Sequence, residues 1–257
     1  MPPIILTSGC PRETVALLDV FLGALVVFLA TGAGSVAIIA LGKIGKGSYP
    51  ALLSFSAGVM AFSALEMLGT AHQQSGNAVT AAGLVLGMLT LFILERTLPH
   101  AHGIAKKGEA SGRKGLLIAG AVALHNIPEG LAVASAFASS VPLGWLVTAS
   151  IALQDVPEGL LISMPLACYG MRMRRCIDYG VLSGAVEAAA AVIGYLLLSA
   201  IAPAVPLGLA FSAGAMTYVI LVELLPDALK DGGEWRSALS FVAGGLLAFG
   251  IAQLFAV

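Results

Sequence analysis

The sequence predicts an all-α polytopic membrane protein of eight transmembrane helices, and three observations predict it. Hydrophobic residues fill 58% of the 257 positions and charged ones only 11%, against roughly 45–50% and 25% in an average soluble domain, so the surface must meet lipid. Apolar runs of about 20 residues, enough to cross a bilayer, recur along the whole chain. The basic residues fall almost entirely in alternate connections between those runs.

The runs place spans near 15–41, 50–71, 77–98, 115–138, 143–169, 177–201, 205–229 and 238–257. They form one transmembrane domain over residues 1–257, with no separate soluble domain. Span 1 follows Met1 to Glu13, which carries no basic n-region of the kind a cleaved signal peptide has, so it is expected to be retained. Spans 4 and 5 divide a stretch, Gly115 to Met171, that holds no Lys or Arg. A single helix of that length would reach roughly 85 Å, so the chain must turn back, and Ser139-Ser140-Val141-Pro142 is the turn.

The remaining connections are marked by charge. Lys43 and Lys46 lie between spans 1 and 2, and Arg96, Lys106, Lys107, Arg113 and Lys114 at or between the ends of spans 3 and 4. Arg172, Arg174 and Arg175 lie between spans 5 and 6, and Lys230 and Arg236 between spans 7 and 8. Twelve of the thirteen basic residues therefore share one side, Arg12 being the exception. By the positive-inside rule both termini are expected to face outward, from a multi-pass protein of the cell (inner) membrane.

Cys10, Cys168 and Cys176 form no CxxC pair, which leaves neither a disulfide framework nor a thiolate zinc site. The net charge of −1 says little, because in a membrane protein the placement of charge outweighs its sum. Neither a nucleic-acid partner nor a prosthetic group is expected.

A repeat is visible. Phe55-Ser56-Ala57-Gly58-Val59-Met60 in span 2 returns as Phe211-Ser212-Ala213-Gly214-Ala215-Met216 in span 7, and a glutamate follows each, Glu66 or Glu223. Spans 2 and 7 run in opposite directions, as inverted repeats around a midplane site do. Coincidence in a chain rich in Gly, Ala and Ser is the plainer explanation that the fold has to exclude.

Seven acids lie within the spans away from their ends: Glu66, Glu129, Asp155, Glu158, Glu187, Glu223 and Asp227. Asp19, Glu95 and Asp178 sit near span ends. An ionised carboxylate deep in a bilayer costs several kcal/mol unless it is paired, protonated or facing water, so such acids mark function by default. With no Lys or Arg at similar depth, the counter-charge is expected to be a transported cation or a proton.

The acids concentrate in two matching segments, His125-Asn126-Ile127-Pro128-Glu129-Gly130 and Gln154-Asp155-Val156-Pro157-Glu158-Gly159. In each, the first residue and the glutamate are i and i+4, neighbours on one helix face about 6 Å apart along the axis. Each proline lacks an N–H and clashes with the carbonyl four residues earlier, so both helices are expected to kink, and each glycine permits close helix approach. Adjacent antiparallel spans then bring together one imidazole, two amides and three carboxylates. That set suits Zn, Fe, Mn or Cd better than Cu(I), and its imidazole argues against a dedicated Ca or Mg cage. A proton relay or a polar packing cluster would use the same residue types, but two matched mid-helix copies favour metal.

At these residues the chain resembles the ZIP (Zrt/Irt-like) family of metal transporters, and Gln154 makes it most similar to the bacterial, GufA-like branch. The resemblance covers essentially the whole chain. It implies a 3+2+3 arrangement, with spans 1–3 and 6–8 as inverted repeats around spans 4 and 5. It further implies a binuclear centre, with His125, Glu129, Gln154 and Glu158 around one ion and Asn126, Asp155 and the shared glutamates around the other. Glu187 falls where the family contributes another carboxylate, and Met60 matches a thioether ligand, although a methionine on an apolar helix is more often core. A homodimer is the family's suggestion.

Three departures stand out. Ala188 replaces the proline that often follows the span 6 glutamate, Val222 replaces the histidine that often precedes the span 7 glutamate, and the His-rich connection shrinks to His100-Ala101-His102. The order of acids suggests entry near Glu66 and His72, passage through the paired centre, and exit by Glu223 and Asp227. Two other functions compete. A membrane-embedded zinc hydrolase would want a metal-bound water and a general base, commonly within HExxH, yet only four histidines exist and three lie near or outside the membrane edges. A proton-coupled carrier of another solute would also use acids in kinked helices. The expected function is transport of divalent cations, zinc foremost, and not catalysis.

Overall fold

The computed structural model describes residues 11–41, 48–97, 112–168 and 170–255. His100, His102, Cys10, Lys43, Lys46, Lys106 and Lys107 lie outside the described residues. The chain forms α1 (Pro11–Leu41), α2 (Ser48–Thr97), α3 (Gly112–Ser139), α4 (Val141–Cys168) and α5 (Met173–Ala200). A 3₁₀ turn (Ala202–Ala204) then leads into α6 (Val205–Val219), a π-helical turn (Ile220–Leu224), α7 (Leu225–Gly232) and α8 (Glu234–Phe255). No strand occurs among the described residues.

Two of these elements answer the span boundaries directly. α2 is 50 residues long but breaks at Gly76, whose φ of 75° and ψ of −178° end one helical leg and begin another. This is where expected spans 2 and 3 meet. Positive φ is nearly free for glycine and costly for residues with a Cβ. A Cβ there would meet nothing within 4 Å, so conformation and not space demands glycine. The α3–α4 turn falls at Ser140, as the Ser-Ser-Val-Pro segment predicts. α5 runs unbroken past Ala188, in keeping with the missing proline.

Among the described residues, five helical stretches are long and apolar enough to cross a membrane: Leu17–Leu41, Ser48–Thr97, Met173–Ala200, Ala202–Lys230 and Glu234–Phe255. α4 falls short because Gln154, Asp155 and Glu158 lower its mean hydropathy. The outer surface is apolar, with Phe21, Leu25 and Leu29 of α1 and Leu239, Leu246 and Phe249 of α8 exposed, whereas Asn126, Glu129, Gln154, Asp155 and Glu187 are buried. Apolar outside and polar inside is the distribution expected when lipid is the solvent.

Small residues set the packing. α1 lies against α4 and α5, α3 against α5, and α2 against α6 and α8. A Cβ on Gly58 would strike the Phe241 carbonyl of α8, and one on Gly244 would strike the Phe55 carbonyl of α2. The second copy of the repeat makes the same pair of contacts, Gly214 against the Leu84 carbonyl and Gly87 against the Phe211 carbonyl. The repeated hexapeptide is therefore a packing device used twice. Its glycine and its phenylalanine carbonyl both meet a neighbouring helix at backbone distance, as small-residue interfaces in membranes allow.

Candidate metal centre

The two Pro-Glu-Gly motifs lie at the middle of α3 and α4, with Pro128 and Pro157 inside the helices. Helical spacing puts His125 with Glu129, and Gln154 with Glu158, on common faces. Tertiary packing then brings the faces together. One carboxylate oxygen from each of Glu129, Asp155 and Glu158 lies within 4.8 Å of the others. Gln154 Nε2 donates to Glu129 Oε1 across the α3–α4 interface.

The motif glycines act differently from the expectation that they bring α3 and α4 together. A Cβ on Gly130 would collide with the Glu187 carbonyl and the Ala190 side chain of α5, and one on Gly159 with the Thr31 carbonyl and Ser35 backbone of α1. Each glycine thus admits a third helix. Gly130 brings in Glu187, whose Oε2 accepts from Asn126 Nδ2 at 3.5 Å and from Thr31 Oγ1 at 3.4 Å. Asn126 Oδ1 in turn accepts from Ser183 Oγ at 2.9 Å.

Acceptor oxygens outnumber donors in this cluster. Glu129 Oε2, Gln154 Oε1, both Asp155 carboxylate oxygens and Glu187 Oε1 are buried with no hydrogen-bond partner. Buried polar atoms are nearly always satisfied, so a group of orphaned oxygens asks for an explanation. A bound cation supplies one, because acceptor-rich pockets without donors are what oxygen-ligated metals need. The oxygens present fit a divalent ion, although the group that converges consists of Glu129, Asp155 and Glu158 without the His125 imidazole.

Glu223 joins from another direction. It stands in the π turn between α6 and α7, and its Oε1 lies 2.7 Å from His125 Nε2, both side chains being about one-fifth exposed (20% and 23%). Single π turns inside α-helices often occur at functional positions. Glu66, its partner in the repeat, is exposed instead. The spacing explains the difference, since Glu66 follows Met60 by six residues but Glu223 follows Met216 by seven. The extra residue coincides with the π turn.

The other expected positions are more ordinary. Met60 is buried in the apolar core with Ile151 and Met216. Asp227 is exposed and pairs with Lys230 Nζ at 2.7 Å, so this acid does have a basic partner. His72 is exposed on α2. Two of the three acids at span ends are also satisfied, Asp19 by Trp145 Nε1 at 3.1 Å and Glu95 by the Tyr218 hydroxyl.

Sequence reasoning missed Thr31 and Ser183. Ser183 precedes Glu187 by four residues and could have been found by the same i, i+4 logic that pairs His125 with Glu129. Nothing local marks Thr31, which reaches the site from α1 only through packing.

Comparison with known proteins agrees with this chemistry. The family model described as ZIP zinc transporter matches residues 99–256. The zinc transporter GufA of Myxococcus xanthus is 36% identical over 191 residues, covering 72% of this chain and 75% of that protein. The zinc transporter ZupT of Corynebacterium glutamicum is 34% identical over 239 residues, covering 84% of this chain and 91% of that protein. The zinc transporter ZupT of Clostridium perfringens is 35% identical over 260 residues, covering 87% and 91%. A buried, acceptor-rich cluster inside an apolar helical bundle thus meets a family match over most of the chain, and the protein belongs to the ZIP zinc transporter family, a transporter of divalent metal and not an enzyme.

Proposed function

We propose that this protein takes zinc into the cytoplasm through a paired metal centre at mid-membrane, with Glu129 and Glu158 as the bridging carboxylates. His125 and Gln154 complete the coordination of one ion; Asn126, Asp155 and Glu187 complete that of the other. The observation that carries this reading is the convergence of Glu129, Asp155 and Glu158 within 4.8 Å. Two ionised carboxylates at that spacing repel by about 3–4 kcal/mol at an effective dielectric of about 20. A divalent cation between them turns repulsion into attraction. The same donors accept cadmium, iron and manganese, so availability shares in the selection.

In this reading residues 1–257 form one domain of eight spans in a 3+2+3 arrangement. α2 supplies two spans through its break at Gly76, and α6 to α7 supplies one through the π turn. The matched contacts of Gly58 and Gly244 with the Phe241 and Phe55 carbonyls, and of Gly214 and Gly87 with the Leu84 and Phe211 carbonyls, support inverted repeats. The distribution of Lys and Arg supports outward termini in the cell (inner) membrane. Metal enters past Met60, Glu66 and His72 and leaves past Glu223 and Asp227, and a second copy of the chain completes a homodimer.

The test is metal uptake by purified protein in liposomes loaded with a zinc-sensitive dye, with competing cations and with a pH gradient applied or absent. Zinc entry blocked by excess cadmium is the expected result. Liposomes that stay zinc-tight while a pH gradient drives an organic solute would overturn it.

A further inference from the structure

Asn126 is held at both ends of its amide. Its Nδ2 faces Glu187 Oε2 at 3.5 Å and its Oδ1 accepts the Ser183 hydroxyl at 2.9 Å. All three residues are buried, at 0%, 0% and 3% exposure for Asn126, Glu187 and Ser183. Ser183 lies one turn before Glu187, so a single face of α5 supplies both partners.

A primary amide has two ends of similar shape and opposite hydrogen-bonding sense. Turned the other way, Asn126 would set its oxygen against the Glu187 carboxylate and its NH₂ against Ser183. The present orientation avoids that clash of acceptors. It also leaves Oδ1 with a second lone pair, since a carbonyl oxygen has two and Ser183 occupies one. On the same Glu187 carboxylate that faces Nδ2, Oε1 is buried without a hydrogen-bond partner, and both Asp155 carboxylate oxygens are buried and partnerless as well.

Thr31 is less committed than Ser183. Its hydroxyl lies 3.0 Å from the Val27 carbonyl as well as 3.4 Å from Glu187, and one hydroxyl has one proton to give.

We propose that Ser183 is a positioning residue for the second ion of the paired centre, fixing the Asn126 amide so that Oδ1 presents its remaining lone pair to that ion. The proposal rests on the paired-centre reading above. Partners that orient metal ligands typically change affinity by about 10–100-fold when removed, and the effect of Ser183 falls on one of the two binding steps.

Stepwise zinc binding to the purified protein in detergent tests it, by calorimetric titration together with metal counting after gel filtration. The wild type takes two ions per chain. Ser183→Ala keeps the first step and weakens the second by about 10–100-fold, and Ser183→Thr, which keeps the hydroxyl, restores it. Wild-type affinities at both steps in Ser183→Ala would overturn the proposal. Loss of both steps together would overturn it too, by giving Ser183 a role in the fold alone, as would equal weakening of the second step in both variants. A wild type that binds a single ion would sink the paired centre itself, and this proposal with it.

Discussion

His125 Nε2 lies 2.7 Å from Glu223 Oε1, which ties the imidazole at the middle of α3 to the π turn between α6 and α7. The same nitrogen cannot donate to Glu223 and ligate a metal at once. On the proposed path, loading of the centre through that nitrogen would require release of Glu223, which would leave the Glu223 carboxylate free to take an ion from the imidazole. Glu223→Gln should keep zinc binding near the wild-type level and lower the maximal rate of uptake several-fold. Initial-rate uptake against zinc concentration checks this, and an unchanged maximal rate would remove Glu223 from the path.

His125→Ala and Glu158→Ala should each abolish zinc uptake while leaving expression and membrane insertion intact. Both residues are partly exposed in the cluster, so neither substitution opens a deep cavity. Uptake in both variants equal to the wild type would refute the site.

Gly130→Ala should destabilise the protein by about 1–3 kcal/mol, the usual range for overpacking, because the new methyl meets the Glu187 carbonyl and the Ala190 side chain. It should also weaken zinc binding, since α5 carries Glu187. Gly69→Ala is the contrast: nothing lies within 4 Å of its Cβ position, and alanine favours the helix by up to about 1 kcal/mol. Thermal unfolding in detergent separates the two in sign.

Gly76→Ala should cost about 1–3 kcal/mol through the backbone conformation alone, since φ of 75° with ψ of −178° is a region essentially confined to glycine, with the affinity for zinc unchanged. The site lies far along the chain from the motifs, and no atom crowds its Cβ. A loss of zinc affinity equal to that of Gly130→Ala would mean that the break in α2 sets the centre.

Lys230→Ala should shift stability by no more than about 0.5 kcal/mol, because the pair with Asp227 joins side chains that are 70% and 50% exposed and only three residues apart. Unfolding at low and high salt measures it.

Much of this was legible in the chain because bilayer thickness and helical period are local rules. The apolar runs gave the helices, and the expected junctions near residues 71–77 and 139–142 became the Gly76 break and the Ser140 turn. The i, i+4 pairs of the two motifs gave the faces that meet. Two expectations changed. Gly130 and Gly159 proved to admit α5 and α1, and Asp227 proved to have Lys230 beside it. The first needed knowledge of which helix lies across the glycine, and the second of how far the ammonium of Lys230 reaches back along its own helix.

Glu66 and Glu223 mark the boundary between the two kinds of knowledge. Sequence alone determined that this protein is a membrane helix bundle carrying two matched Pro-Glu-Gly motifs with their polar residues on one face, since hydropathy and spacing act within one helix. Only the tertiary structure decided that Glu223 faces His125 while Glu66 faces outward, and that Thr31 and Ser183 stand beside Glu187 and Asn126. The physical reason is rotation: a helix's period fixes which of its residues share a face, but packing against its neighbours, adjusted here by one residue of π helix, fixes where that face points.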